Sequence, residues 1–184
     1  MIISLTGFMG CGKSSVGREL SKLLCCRFLD LDTVIEERAG KSIADIFADE
    51  GEETFRRMEH DILHDICCSS TAAESAGNDT VQKESNIVLS LGGGAIMHPE
   101  SKKTIHEHTF CVYLRASVDT LISHLAKETA SRPLLSNLGE GELRERILKM
   151  MSQRSETYER TAHLIIDIDN KSIDAIAAGI ASKI

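Results

Sequence analysis

The stretch Ile2-Ile3-Ser4-Leu5-Thr6-Gly7-Phe8-Met9-Gly10-Cys11-Gly12-Lys13-Ser14 decides how this chain is read. Ile2, Ile3 and Leu5 make a short apolar run suited to a buried strand, and Val16, Leu20, Leu23 and Leu24 recur beyond it at helical spacing. Between strand and helix, Gly7 to Ser14 matches G-x-x-x-x-G-K-[ST]. Glycines there let backbone N–H groups turn inward around phosphate oxygens, and the helix aims its positive end at the same point. The loop therefore predicts ATP: Lys13 would neutralise the β and γ phosphates, and the Ser14 hydroxyl would ligate Mg2+. The expected nucleotide contacts are Gly10, Cys11, Gly12, Lys13, Ser14 and Ser15. Cys11 is read as a small filler in this loop; the alternative is a thiol whose oxidation blocks ATP.

Outward from the loop, the pattern repeats. Short strands are expected at Phe28 to Leu31, Ile87 to Leu91, Phe110 to Leu114 and Leu164 to Ile168, separated by helical patterns. Alternating strands and helices imply an α/β fold, a parallel sheet covered on both faces, with ligands gathering beyond the carboxyl ends of the strands. The last helix, with Ile173, Ile176, Ala177, Ile180 and Ile184 on one stripe, is expected to close the core. Two stretches break the pattern. Cys67 to Asn86 is polar and small, and reads as a mobile surface loop. Lys127 to Glu142 holds Arg132-Pro133 with Gly139 and Gly141, a composition suited to a lid.

The chain of 184 residues, 42% hydrophobic and 27% charged, fits one domain with a real core. No apolar run approaches a membrane span, and Met1 to Leu5 lacks the basic flank of a signal peptide, so a soluble cytoplasmic protein is expected. A net charge of −7 argues against a nucleic-acid surface. The cysteines include the vicinal pairs Cys25-Cys26 and Cys67-Cys68 but no C-x-x-C spacing, and read as reduced thiols.

Four further features carry chemistry. Asp30-Leu31-Asp32 is read as the end of the second strand, whose period of two puts both carboxylates on one side. They either hold a magnesium-bound water and the attacking hydroxyl, or simply cap the following helix. Gly92-Gly93-Gly94 follows the third strand, and three residues without side chains suggest close approach of a ligand, with Ser90 adding a hydroxyl near the metal waters. In the helix from Glu52, Glu59 falls on the inward stripe of Phe55, Met58, Ile62 and Ile66, with Arg56 at its border; the pair is either structural or an anion site. In the helix from Glu142, Arg154 lies within the face of Leu143, Ile147, Met150, Met151 and Tyr158, where an arginine is costly without an anion. His60 and His64 stand four apart, but on the face away from the stripe, and are read as solvated rather than metal-binding.

Together with Ser42-Ile43-Ala44-Asp45-Ile46-Phe47, Phe55-Arg56-Arg57-Met58-Glu59 and Arg132-Pro133-Leu134-Leu135, these motifs resemble the shikimate kinase family, in order and over nearly the whole chain. The resemblance implies a P-loop fold like the nucleoside monophosphate kinases, with a five-stranded parallel sheet in order 2-3-1-4-5. It implies ATP- and magnesium-dependent transfer to the shikimate 3-hydroxyl, a step of aromatic amino acid biosynthesis, by a monomer with no nucleic-acid or membrane partner. By position, Asp32 would bind the ring hydroxyls and assist the nucleophile. Arg56 and Arg154 would grip the carboxylate, Gly92, Gly93 and Gly94 would line the acceptor, and Phe47, Phe55 and Leu134 would wall its ring. Arg132 would reach the phosphates from the lid, and Asp30 would hold Mg2+ through water. Residues 33–66 would form the acceptor-binding helices, 67–86 the mobile loop and 127–142 the lid. Where the family often packs an Arg on adenine, this chain offers His124. A gluconate- or nucleotide-type kinase using the same loop is the alternative.

Overall fold

Strand β1 (Ile2–Thr6) is buried at every position and lies at the centre of a five-stranded sheet in the order β2-β3-β1-β4-β5. The computed structural model describes residues 1–72, 86–128 and 140–184. Strands β2 (Arg27–Asp30), β3 (Ile87–Ser90), β4 (Phe110–Arg115) and β5 (Leu164–Asp167) all run parallel to their neighbours, in the order expected. Parallel neighbours require long crossovers. These are helices α1 (Lys13–Leu23), α2 (Leu31–Ala39), α3 (Ile43–Ala72), α4 (Pro99–His108), α5 (Val118–Glu128), α6 (Glu140–Thr161) and α7 (Ile173–Ala181).

Period-two alternation divides each strand between two cores. Ile3, Leu5, Val88, Val112 and Leu114 face one, with Val16 and Leu20 of α1 and Ile176 and Ile180 of α7. Ile2, Ile87, Leu89, Cys111 and Tyr113 face the other, with Phe55, Ile62 and Leu63 of α3. Helix α6 serves both, Leu143 and Ile147 joining the first core and Tyr158 the second. The register then aligns the strand ends. Asp30 pairs with Ser90 and Ser90 with Leu5, so the tips of β2 and β3 lie beside the loop that leaves β1.

Several expectations need correction. The second strand stops at Asp30, and Leu31 and Asp32 already belong to α2. Leu31 is fully buried, which stabilises by about 1.5–3 kcal/mol, and the chain turns here to bury it. Helix α3 continues through Cys67 to Ala72, into the stretch read as a loop, because Cys67 is itself a buried apolar residue. The remainder of that loop, 73–85, lies outside the described residues. Likewise Lys127 and Glu128 end α5 and Glu140 begins α6, leaving 129–139 of the lid, with Arg132, Leu134 and Gly139, outside the described residues. Leu23, Ile173 and Ile184, expected on inward stripes, are exposed at helix or chain ends.

One break inside α3 matters for the site. Gly51 takes φ 83° and ψ 171°, a conformation open to glycine, and splits the helix into two arms. The second arm starts at Glu52, where the apolar stripe predicted a helix start.

Candidate active site

The loop after β1 ends at Gly12, whose φ of 83° is left-handed and which serves as N-cap of α1. Val16 N–H donates to the Gly12 carbonyl at 2.9 Å, so the amides of Lys13, Ser14 and Ser15 precede the first helical bond and remain as donors at the loop. Lys13 Nζ donates to the carbonyls of Gly7 (3.0 Å) and Phe8 (3.1 Å), which fixes the ammonium on the loop's inner edge. Cys11 is buried, and burial pushes its thiol pKa up despite nearby Lys13. That agrees with the filler reading.

Asp30 does two things at once. Its Oδ1 accepts from the Asp32 amide at 3.2 Å, capping α2, while its Oδ2 accepts from the Ser14 hydroxyl at 2.6 Å. The capping reading of this residue is thus met. Ser90 Oγ stands 3.4 Å from Ser14 Oγ. Ser14, Asp30 and Ser90 thus gather hard oxygen donors beside the phosphate loop, a set chemically fitted to Mg2+.

Asp32 reaches the same cleft from the first turn of α2, not from a strand. Its side chain takes no hydrogen bond among the described residues. Desolvation, then the neighbouring Asp30 charge, raises its pKa, while Lys13 and Arg56 oppose the shift. The cleft, about 160 Å³, is lined by Gly10, Gly12, Lys13, Ser14, Asp30, Asp32, Ser90 and Gly93, with Met9, Ser15 and Leu91. A larger hollow of about 440 Å³ lies between α5 and α6, but its charged lining residues, Asp119 and Arg144, pair with each other at 2.5 Å. Among the described residues it offers no unpaired charge to address a ligand.

The triple glycine has a separate reason at each position. A Cβ on Gly92 would come within 2.9 Å of Glu59 Oε1 and Asp32 Oδ1. One on Gly93 would stand 3.5 Å from the Met9 amide of the phosphate loop. One on Gly94 would lie 2.5 Å from Arg56 Nη2. Side chains of the site, as much as any ligand, fill the space these glycines leave. Gly94→Ala is accordingly expected to push the guanidinium of Arg56 away from buried Glu59, lower the melting temperature, and lower kcat/KM for the acceptor by up to about a hundredfold. Steady-state kinetics beside a thermal melt checks it, and wild-type kinetics would contradict it.

Arg56 and Arg154 differ in how they are neutralised. Arg56 Nη1 bonds Glu59 Oε2 at 2.7 Å, with Glu52 at 3.4 Å. Glu59 is buried, which raises its pKa, and its Oε1 is shut from solvent without a hydrogen-bond partner among the described residues. Arg154, half-buried, donates to the Gly93 carbonyl at 3.4 Å and pairs with no carboxylate among the described residues. The Tyr158 hydroxyl donates to the same carbonyl at 2.5 Å. That bond was not anticipated, although a tyrosine on an apolar stripe signals that its hydroxyl needs a partner. Phe47 packs on Phe55 with centroids 4.6 Å apart and the rings tilted by 33°, Phe47 partly exposed and Phe55 buried. His124 Nδ1 lies 2.8 Å from the Gly10 carbonyl, tying α5 to the phosphate loop. The structure thus brings together Lys13, Ser14, Asp30, Asp32, Gly92, Gly93, Gly94, Arg56 and Arg154.

A family model described as Shikimate kinase matches residues 9–184. The shikimate kinase of Thermus thermophilus is 39% identical over 182 residues, covering 99% of this chain and 89% of that protein. The shikimate kinase of Flavobacterium johnsoniae is 36% identical, covering 94% and 92%. Among solved structures, a shikimate kinase from Bacteroides thetaiotaomicron superposes with a TM-score of 0.83 at 27% identity, over 100% of this chain and 97% of its own. A shikimate kinase from Acinetobacter baumannii in complex with shikimate gives 0.78 at 28% identity, over 99% and 91%.

Proposed function

The chain belongs to the shikimate kinase family, and from that premise we propose that it transfers the γ-phosphoryl group of ATP to the 3-hydroxyl of shikimate, giving shikimate 3-phosphate and ADP. The observation that carries the choice of acceptor is Arg154. A half-buried guanidinium without a carboxylate partner, set on the glycine next to the one that faces Arg56, fits an acceptor bearing a carboxylate. The orphaned Oε1 of Glu59 and the unbonded carboxylate of Asp32, both against Gly92, add acceptors for the hydroxyls of a polyol.

In this reading, Arg56 and Arg154 hold the acid while Asp32 orients the attacking hydroxyl and takes its proton. Phe47 and Phe55 wall the ring, with Leu134 added from the lid and Gly92 to Gly94 along the floor. Lys13 and the amides of Gly10 to Ser15 hold the phosphates, and Arg132 covers them. Ser14 directly, and Asp30 through water, would hold Mg2+, which when bound neutralises charge on the β and γ oxygens. Residues 33–66 serve as the acceptor-binding region and 127–142 as the lid.

We further infer a cytoplasmic monomer without nucleic-acid or membrane partners. The −7 net charge and the absence of any helix long and apolar enough to cross a membrane among the described residues accord with this. All six cysteines are thiols rather than disulfides, as a reducing compartment requires. Among the described residues the exposed large apolar side chains are spread over α1, α3, α6, α7, β5 and both termini. Sedimentation at assay concentration tests the monomer.

The decisive assay measures ADP release with shikimate, gluconate, AMP or no acceptor. Shikimate alone should drive turnover; a rate that favours gluconate or AMP would move the chain to another acceptor class. Arg154→Ala should raise the KM for shikimate roughly a hundredfold with kcat changed little, because a carboxylate distant from the reacting oxygen is held alike before and during transfer. Unaltered acceptor affinity would remove Arg154 from the site.

A further inference from the structure

His60, read from sequence as part of a solvated face, is instead covered. Its side chain is 19% exposed and lies where α3 meets the start of α4, away from the phosphate cleft. Ser101, fully buried on α4, holds His60 Nδ1 at 3.3 Å. That contact sets the ring so that Nε2 faces Glu100 Oε2 at 3.7 Å. His98, immediately before α4, brings a second imidazole, its ring centroid 5.7 Å from that of His60. Among the described residues the His98 Nδ1 is shut from solvent without a hydrogen-bond partner. One ligand atom from each of His60, His98 and Glu100 lies within 4.8 Å of the others.

We propose that His60, His98 and Glu100 form a site for a divalent transition-metal ion of the zinc class, clamping α3 to the start of α4. Two imidazoles and one carboxylate are the donor set that suits zinc, with ligand bonds of about 2.0–2.2 Å. Closing the cluster to that reach asks for side-chain shifts of about an ångström, in which exposed Glu100 is free to follow the two imidazoles. Ser101 fills the role that outer partners play in such sites, orienting one imidazole through its second nitrogen. Buried Glu59, whose charge acts on His98, adds negative potential beside the cluster. Because α3 also carries Arg56, and the segment leading to His98 also carries Gly94, a cation here would tie together the two walls of the acceptor pocket. It would do so from outside the reaction.

The test uses the full chain after chelator treatment, with Zn2+ and then Co2+ as probes and Mg2+ as the control. Zn2+ should bind one per chain and raise the melting temperature in a saturable way where Mg2+ does not. Glu100→Gln and His98→Asn should each weaken Zn2+ binding at least tenfold, while melting as wild type does in chelator. Asn is well tolerated at a helix N-cap, so the second variant keeps α4. The Co2+ complex should lack a thiolate charge-transfer band. A strong thiolate band would place the ion on the neighbouring His64–Cys68 pair, 3.4 Å apart, and overturn the assignment. Undiminished Zn2+ binding by the double variant, or no stoichiometric binding at all, would overturn it too.

Discussion

Asp32→Asn should cut kcat by about a thousandfold, within the range that a positioned general base supplies, while ATP binding stays intact. The substitution is close to isosteric, and the α2 cap survives it because Asp30 accepts from the backbone amide of residue 32, not from its side chain. The same change should stabilise the fold. Asp32 has a raised pKa, chiefly from desolvation and then from Asp30, so the native state binds its proton more tightly than the unfolded chain does. Stability from this group is therefore present at low pH and lost as pH rises through the folded pKa. At neutral pH the ionised carboxylate is a cost, and removing its charge should stabilise by roughly 0.5–2 kcal/mol. The wild-type acid limb of kcat/KM should lie above the usual aspartate range, and rate against pH together with melts at two pH values reads both effects. Retained turnover in Asp32→Asn would return this residue to a structural role.

The sheet was legible because its three inner strands, β1, β3 and β4, are buried almost throughout, so each reads as an apolar run bounded by turn signals. The phosphate loop was legible because it depends on backbone: the glycine spacing is itself the structure. What period alone misplaced was Asp32. A strand and a helix start both set Asp30 and Asp32 toward one cleft, and what separates them is the Asp30 cap and the burial of Leu31. Neither shows in local alternation. Cys67 was misread for a related reason, since a small thiol at the edge of a Ser- and Asn-rich stretch was read with that stretch yet packs as a core residue. Contacts between distant segments stayed hidden. Tyr158 on the Gly93 carbonyl and Ser101 on His60 join residues 65 and 41 positions apart, and no pattern within one helix encodes them. The glycines lie between: their number signalled crowding, but only the fold reveals that Glu59, Asp32 and Arg56 are what crowd them.

Arg132→Ala is expected to lower kcat by a thousandfold or more, on the order of the loss seen when an arginine supplied to phosphoryl transfer is removed. Charge at the cleft sets this expectation. Among the described residues lining it, Lys13 is the one cation, set against Asp30 and Asp32. Arg56 is already neutralised by Glu59, and Arg154 sits at the acceptor end on Gly93. A triphosphate brought beside two carboxylates therefore needs further positive charge, above all on the γ oxygens, where negative charge redistributes during transfer. Arg132 lies outside the described residues, in the stretch between α5 and α6. Those helices flank the phosphate loop, α5 through the His124 bond to Gly10. Lysine at 132 should restore only part of the rate, because one point charge does not replace a planar fork. Single-turnover rates at saturating ATP and shikimate separate the outcomes: a normal rate in Arg132→Ala removes this residue from the transfer step, and a raised KM for ATP with kcat kept would make it a binding group alone.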